Sequence, residues 1–243
     1  MKIIKLNAID STNSFLKELV QSTALENCTV VVAKEQKKGR GQQESNWVSE
    51  PFKNLTISVY FSNIDLEINK QKYLNFAISL AIFDVLSNQK AKDLSIKWPN
   101  DILSANKKIC GILIENTIKG RKINNSIIGI GLNVNQEKFP DALKNVTSLK
   151  KITNKEFDLE LLLVEVIEKI EERIEMLSLK KFTDLETEYL NVLYKKNIPT
   201  MFKDSHDVLF MGKIIGISSL GSLQIEMEDE TVKEFGIKEV SLA

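Results

Sequence analysis

The stretch KKICGILIENTIKGRKINNSIIGIGLNVN, residues 107–135, decides the fold class of this chain. Its two halves are rich in β-branched residues, and a polar, glycine-containing segment separates them, so we predict strands at 107–118 and 124–135 joined by a turn. Gly111, Gly129 and Gly131 interrupt these strands. A glycine inside a strand usually marks a bulge or a close approach to the backbone. These glycines therefore indicate either a bound ligand or a bulky core neighbour.

Further strands are predicted on both sides of this hairpin. LSIKWPNDIL (94–103) predicts one strand, and CTVVVA (28–33) and NLTISVYF (54–61) predict two more. Helical spacing of apolar residues predicts a helix over 12–22, with Asp10 or Ser11 as its cap, and a long amphipathic helix over 71–88 that covers one face of the sheet. A mostly hairpin-linked sheet with helices beside it predicts an α+β domain.

The C-terminal part predicts a separate unit. Helical patterns run from residue 156 to about 195, break near Ser178 and end before Pro199. VLFMGKIIGIS, GSLQIEM and TVKEFG then follow with turn signals between them, which predicts a small antiparallel barrel or sandwich. We expect two domains, 1–195 and 196–243.

Composition excludes several classes of protein. No apolar run approaches the roughly 20 residues that cross a bilayer, and the N-terminus lacks an export signal, so we expect a cytoplasmic protein. The 33 basic and 33 acidic residues give no overall field to attract nucleic acid. Cys28 and Cys110 are expected to be reduced and buried. Together with the single histidine, His206, they cannot supply four ligands to a zinc ion.

The segment KKGRGQQESNW, residues 37–47, connects two predicted strands. Gly39 and Gly41 permit backbone conformations in which amide N–H groups face a bound anion, and Arg40 would add a charged fork. The alternative is an ordinary hairpin tip, which is typical of a glycine pair between strands. The segment alone does not separate these interpretations.

KWPND, residues 97–101, places a proline within a predicted strand, where proline is tolerated only at an edge or a bulge. Lys97 could pair with a reacting phosphate, and Asp101 could bind a metal or orient a second cation. The alternative is a turn with an exposed ion pair. Elsewhere, the three small polar residues from Ser11 to Asn13 either cap the first helix or meet a ligand, and Asn133 offers a donor and an acceptor to a heterocycle.

Taken in chain order, these motifs resemble those of the biotin–protein ligases, also called biotin–[acetyl-CoA-carboxylase] ligases. The motifs are STN (11–13), Gln36 with GRGQ (39–42), Trp47, KWPND (97–101), KxxGIL-E (108–115) and GIGLNVN (129–135). The C-terminal GSLQIE…DETVKEF…EVSL is similar to the small barrel of that family. The resemblance implies a catalytic fold like that of class II aminoacyl-tRNA synthetases, followed by an SH3-like β-barrel.

The resemblance also implies the reaction. Biotin and MgATP would give biotinyl-5′-AMP and pyrophosphate, and the biotinyl group would then pass to a lysine of a biotin carboxyl carrier protein, such as a subunit of acetyl-CoA carboxylase. ATP and Mg²⁺ are the implied cofactors, with no protein ligand assigned to the metal. The implied catalytic residues are Arg40, Lys97, Asp101 and Lys108. The implied biotin-binding residues are Ser11, Thr12, Asn13, Gln36, Gly39, Arg40, Gly41, Lys97 and Gly111, and the adenylate would meet Gln42, Trp47, Asn100 and Asn133.

Two departures from the family pattern bear on these expectations. Members that repress their own genes carry an N-terminal helix-turn-helix, whereas STN begins here at residue 11, so we expect no DNA binding. The resemblance implies either a monomer or a homodimer. The common loop GRGRxGRxW is GRGQQESNW here, with Gln42, Glu44 and Ser45 at altered positions. The alternatives to a biotin ligase are a lipoate–protein ligase, which shares the fold, and a non-catalytic module that binds biotin or a carrier.

Overall fold

A seven-stranded sheet forms the centre of the protein in a computed structural model that describes residues 2–42 and 45–243. Its order is β1-β2-β5-β9-β8-β7-β6; β1 and β2 are parallel and the other neighbours are antiparallel. The strands β3 and β4 form a separate two-stranded ribbon between β2 and β5 in the chain. The strand bounds are β1 Lys2–Ile9, β2 Thr29–Gln36, β3 Gly39–Arg40, β4 Asn46–Trp47, β5 Leu55–Glu67, β6 Leu94–Lys97, β7 Asp101–Ser104, β8 Lys107–Lys119 and β9 Lys122–Leu132.

Helices pack on both faces of this sheet. The bounds are α1 Thr12–Ser22, α2 Gln71–Asn88, α3 Leu149–Thr153, α4 Leu159–Ser178 and α5 Phe182–Asn191. Helix α1 packs on β2, β5 and β9, while α2 lies on the opposite face with α4 and α5 against it. The prediction that α2 is amphipathic was wrong. Residues 76–82 are all buried, because α4 and α5 cover the side of α2 that faces away from the sheet.

The prediction of one strand over 94–103 was also wrong. Strands β6 and β7 form a hairpin instead, with a turn at residues 98–100. Pro99 has no amide hydrogen to donate to a ladder, so the chain reverses where the proline would interrupt a strand. The hairpin brings Lys97 and Asp101 opposite each other as cross-strand partners.

The C-terminal part is a five-stranded antiparallel sheet in the order β13-β12-β11-β10-β14. The α+β expectation, with helices beside a mainly antiparallel sheet and a β-rich C-terminal unit, is confirmed. The division at residues 195 and 196 stays a prediction. Strands β1, β10 and β14 were not predicted. The bounds are β10 Pro199–Asp204, β11 Leu209–Ile217, β12 Leu223–Met227, β13 Val232–Phe235 and β14 Val240–Leu242.

Both cysteine thiols are buried and unpaired, as predicted. Burial, with a hydrogen bond to Glu171, raises the pKa of Cys28 to about 12, and burial also raises the pKa of Cys110. Both thiols therefore stay protonated at neutral pH. Within the described ranges, no helix combines the length and apolar character that a membrane crossing requires.

Candidate functional site

A row of five cross-strand partners crosses the sheet and forms the floor of a cleft. It runs from Thr56 on β5 through Gly131 on β9, Gly111 on β8 and Asp101 on β7 to Lys97 on β6. Cross-strand partners share one face of a sheet. Two glycines therefore lie between the hydroxyl of Thr56 on one side and two ionisable residues, Asp101 and Lys97, on the other. All five residues line the cleft, whose volume is about 420 Å³.

Trp47 occupies the space that these glycines leave open. A Cβ at Gly131 would overlap the indole ring, and a Cβ at Gly111 would lie 3.2 Å from its Cζ3 atom. The Lys108 ammonium lies 5.6 Å from the centre of the same ring, within the range of a cation–π interaction. The indole Nε1 is buried and has no hydrogen-bond partner among the described residues. The glycines thus accommodate an aromatic wall of the cleft, which is the bulky-neighbour alternative that the sequence left open.

An ion pair lies beside this aromatic wall. The Lys108 ammonium is 2.7 Å from the Asp101 carboxylate, and both side chains are partly exposed to the cleft. Asn100 ties the turn at 98–100 to strand β8. Its side-chain Nδ2 donates to the backbone carbonyl of Ile112, and its backbone carbonyl accepts from the Ile112 amide. Asp101 thus contacts a second cation, and its predicted role in orienting that cation for catalysis stays a prediction. Lys97, by contrast, makes no hydrogen bond or ion pair with any described side chain.

The start of α1 forms the polar end of the cleft. Ser11 caps the helix, since its hydroxyl accepts from the Ser14 amide. Gln36 Oε1 accepts from both the amide and the hydroxyl of Thr12, at 2.9 and 3.1 Å. Thr12 and Ser11 are almost fully buried, so their polar groups face the cleft interior rather than bulk solvent. The capping interpretation and the ligand interpretation of this motif are therefore compatible.

Asn13 lies against Gly129, where a Cβ would overlap its side-chain amide. The hydroxyl of Ser58 lies 2.5 Å from Asn13 Oδ1, and the opposite end of the amide, Nδ2, donates to Glu115 Oε2 at 3.0 Å. A donor on one side and a carboxylate on the other fix which way this amide points. Gly129 thus leaves room for the Asn13 side chain, as Gly131 does for the Trp47 ring.

Residues 39–40 and 46–47 pair as a short two-stranded ribbon at the edge of the cleft. The Gly41 amide donates to the Ser45 carbonyl at 2.6 Å, and the Ser45 amide donates to the Gln42 carbonyl at 3.0 Å. One of the two amides predicted to hold an anion is therefore satisfied within the loop. Arg40 Nη2 lies 3.5 Å from Glu115 Oε1, so its guanidinium already has an anionic partner. The predicted effect of Glu44 lies outside the described residues.

The cleft brings together most of the residues that the sequence indicated, with two exceptions. Gly39 is buried beneath Trp47 and Gln36 and does not line it. Asn133 is also buried and donates to the Thr147 carbonyl, while its Oδ1 has no partner among the described residues. Its adenylate role stays a prediction. The predicted residues that line the cleft are Ser11, Thr12, Asn13, Gln36, Arg40, Gly41, Gln42, Trp47, Lys97, Asn100, Asp101, Lys108 and Gly111.

Several residues of the site were not identified from the sequence. Thr56 and Ser58 alternate within the apolar strand NLTISVYF, a signal that could have indicated a polar face. Glu115 ends the KxxGIL-E motif and received no role. The C-terminal sheet contributes Phe202, Val240 and other side chains to the cleft wall, and no local pattern in that part of the chain indicated this. Trp98 connects the two parts, because its indole Nε1 donates to the Gly221 carbonyl at 3.0 Å.

These features define an α+β protein with a partly apolar, cation-lined cleft on one face of its sheet. The family model described as the biotin/lipoate A/B protein ligase family matches residues 6–133, more than half of the chain. The chain therefore belongs to the biotin/lipoate A/B protein ligase family and is a ligase. The resemblance of its motifs to those of the biotin–protein ligases is confirmed by the relatives that match it.

The similarity to some individual proteins extends over nearly the whole chain, and to others over about half of it. The bifunctional ligase/repressor BirA of Bacillus spizizenii is 31% identical over 242 residues, which cover 98% of this chain and 71% of the relative. The biotin–[acetyl-CoA-carboxylase] ligase of Mycobacterium tuberculosis is 31% identical over 138 residues, or 54% of this chain and 50% of the relative. A biotin protein ligase from Aquifex aeolicus, solved in complex with biotin and ATP, is 28% identical with a TM-score of 0.81. That alignment covers 100% of this chain and 98% of the Aquifex chain.

Proposed function

We propose that this protein activates biotin with ATP to form biotinyl-5′-AMP and transfers the biotinyl group to a lysine of a biotin carboxyl carrier protein. The observation that carries the proposal is that one cleft holds Arg40, Lys97 and Lys108, three of the four basic side chains that line it within the described residues, beside the polar start of α1. A partly apolar cleft with a few convergent polar groups is typical of sites for small ligands. The Aquifex relative was solved with biotin and ATP, which supports both substrates for this chain.

The three cations suit the first step. When the biotin carboxylate attacks the α-phosphate, two anions approach each other, so the site must supply positive charge in the transition state. The Lys97 ammonium has no hydrogen-bond or ion-pair partner among the described residues, so it is available to an incoming anion. Lys108 is fixed by Asp101, so its charge is held in place before the substrate arrives. We assign Lys97 to the carboxylate and α-phosphate, and the Asp101–Lys108 pair to the assistance of adenylation or transfer.

The polar end of the cleft suits the ureido ring of biotin. A ureido group offers two N–H donors and one carbonyl acceptor, and it requires partners of both kinds when water is excluded. Ser11, Thr12 and Gln36 provide hydroxyl and amide groups there, and Asn13 is held beside them in one orientation. Gly111 also lines the cleft, where the Lys108 and Trp47 side chains lie against its backbone. We therefore place the biotin ring at the start of α1 and the adenylate along Trp47, Gln42 and Asn100.

Mg²⁺ enters this proposal together with ATP. Within residues 2–42 and 45–243, no group of three or more His, Cys, Asp or Glu side chains could hold a metal ion, and Asp101 is the only acidic side chain lining the cleft. This donor set suits a cation held chiefly by phosphate oxygens, with Asp101 within the same cleft. The bound ion would neutralise charge on the pyrophosphate that leaves.

Transfer to the carrier lysine requires that the mixed anhydride be protected from water. Residues 40–42 and 45–47 border the cleft, and Trp47 covers part of the floor. A loop that covers the intermediate would exclude water and leave the anhydride to the incoming amine. Transfer then forms an amide bond and releases AMP, and the lysine proton passes to solvent or to a nearby base.

Biotin-dependent exchange of pyrophosphate into ATP tests the proposal. We expect exchange with biotin, none without it, and none with lipoate in its place. Exchange supported only by lipoate would identify a lipoate–protein ligase instead. Biotin binding by calorimetry with neither exchange nor AMP release would identify a non-catalytic binding module. A second assay, incorporation of labelled biotin into a purified carrier domain, tests the transfer step.

A further inference from the structure

We propose that Glu115 is a positioning residue that holds the polar end of the cleft and the Arg40 loop in register. This inference rests on the proposed function and adds a residue to it. Glu115 lies on β8, and its two carboxylate oxygens face different parts of the site. It does not line the cleft, so it would act on substrates only through the residues that it holds.

One oxygen of Glu115 orients Asn13. Asn13 Nδ2 donates to Glu115 Oε2 at 3.0 Å, and its Oδ1 lies within hydrogen-bond distance of the Ser58 hydroxyl. An amide that turned over would place its oxygen against the carboxylate, which is unfavourable for two acceptors. Glu115, together with the Leu113 carbonyl that accepts from the same Nδ2 at 3.4 Å, therefore selects a single orientation of an amide that is almost fully buried at the cleft.

The other oxygen faces the loop. Glu115 Oε1 lies 3.5 Å from Arg40 Nη2 and 3.8 Å from Lys17 Nζ. The Glu115 side chain is 22% exposed, whereas those of Arg40 and Lys17 are about half exposed. A partly shielded carboxylate holds a guanidinium more firmly than a surface pair does, because water screens it less. Before substrate binds, Glu115 is thus the anion that keeps Arg40 at the cleft.

The substrate brings anions of its own, and the carboxylate of biotin would share the Arg40 guanidinium with Glu115, since its several N–H groups can meet two anions. Glu115 then acts in two states. Without substrate it holds the loop against β8, and with substrate it fixes Asn13 and keeps Arg40 oriented toward the reacting groups. Its loss should change both the resting position of the loop and the geometry of the polar end.

The two contacts can be separated by substitution. In Glu115→Gln the amide oxygen can still accept from Asn13, whereas the attraction for Arg40 is lost. We expect kcat for pyrophosphate exchange to fall on the order of tenfold, with little change in KM for biotin. A tenfold change corresponds to the free energy that a hydrogen bond to a charged group usually contributes. In Glu115→Ala both contacts are lost, so KM for biotin should rise as well. Asp65→Asn is the matched control, because it removes an exposed strand carboxylate paired with Lys122, and it should match wild type.

A double-mutant cycle with Arg40→Ala tests the route of the effect. In the Arg40→Ala background, Glu115→Gln should change kcat by less than about twofold, because the contact through which it acts is already absent. An equal loss in both backgrounds, or wild-type kcat in Glu115→Gln, would overturn the inference. So would a loss explained by a lower folded fraction, measured by thermal unfolding of each variant.

A measurement without substrate separates this inference from the proposed function. Amide hydrogen exchange in the ligand-free protein should be faster at the loop, residues 39–42 and 45–47, in Glu115→Gln than in wild type or Asp65→Asn. Unchanged loop protection in Glu115→Gln would refute the positioning role. Absence of biotin-dependent exchange in the wild-type protein would refute the proposed function and leave the loop measurement valid.

Discussion

The indole of Trp47 lies against the backbone of Gly131, in space that a Cβ at position 131 would need. This contact joins the end of the 37–47 loop to the central sheet. Gly111, the cross-strand partner of Gly131, leaves the adjoining space for the Lys108 side chain. Two glycines therefore determine how an aromatic ring and a cation are placed over one row of the sheet.

Gly131→Ala should displace Trp47 from this position. The overlap with the ring is expected to cost about 1–3 kcal/mol, either as strain or as movement of the indole. We expect a clear change in tryptophan fluorescence and a higher KM for ATP in the exchange assay. Gly216→Ala is the control, since its Cβ would meet only Gln224 Oε1 at 3.4 Å. Fluorescence and KM equal to those of wild type would show that Trp47 does not border the adenylate.

Lys97→Ala should abolish adenylate formation and leave the fold intact. Loss of one such charge is expected to cost on the order of 3 kcal/mol in the transition state, or roughly a hundredfold in kcat. Little stability should be lost, because the ammonium makes no ion pair with the described residues. Exchange kinetics and thermal unfolding measure the two effects, with Lys122→Ala as an exposed, ion-paired control. Normal exchange would remove Lys97 from the mechanism.

Asp101 and Lys108 should behave as one unit. Asp101→Asn leaves the ammonium without the carboxylate that holds it at 2.7 Å, so we expect a lower kcat from either Asp101→Asn or Lys108→Ala. The double variant should lose less than the sum of the two, with a coupling of about 0.5–3 kcal/mol. Exchange rates of the four proteins measure this coupling. Additive losses would mean that the two side chains act independently.

Trp98→Phe should loosen the C-terminal sheet from the cleft. The substitution keeps an aromatic side chain but removes the indole N–H that donates to Gly221, a bond worth about 1 kcal/mol. We expect faster amide exchange around residues 218–222, where the turn between β11 and β12 lies, and a modest rise in KM for a substrate. Equal protection in the two proteins would show that this hydrogen bond does not hold the sheet in place.

Acid should weaken one turn of the C-terminal sheet. The backbone amides of Val208 and His206 donate to Asp204 and hold the pKa of its carboxyl below its ordinary value. A lowered folded-state pKa contributes stability that is present above the unfolded value and is lost as the pH falls through the folded one. Wild type should therefore exceed Asp204→Asn in Tm at pH 6, and the difference should vanish in strong acid. A difference independent of pH would contradict this.

The sequence correctly predicted those strands and helices whose own residues form a regular apolar or β-branched pattern. The β-branched runs at 28–33, 54–61, 107–118 and 124–135 became strands, and the capped apolar period at 12–22 became a helix. The glycines at 111, 129 and 131 leave room for neighbouring side chains, which is the bulky-neighbour alternative, and a bound ligand at them stays a prediction. What they accommodate was not predictable, because Trp47 and Asn13 reach them from distant parts of the chain.

The errors have tertiary causes. Helix α2 was predicted to have a polar face, but α4 and α5 bury it, and no pattern within α2 contains that information. Pro99 indicated an irregular strand, whereas only the pairing of β6 with β7 shows that the chain reverses there. Glu115 ends the KxxGIL-E motif, and nothing within that motif indicates what its carboxylate contacts. Its contacts with Asn13 and Arg40 join positions separated by 102 and 75 residues, and no window of sequence spans them.

The wall of the cleft that comes from the C-terminal sheet has a consequence for synthesis of the protein. Ser11 and Leu242 line the same cleft, although they lie near opposite ends of the described chain. Chains emerge from the ribosome N-terminus first, and early segments fold before late ones. The central sheet can therefore form while the cleft still lacks a wall. A nascent chain would complete the wall of its cleft only after strand β14 has left the exit tunnel, so the central sheet would form before the cleft is closed on this side.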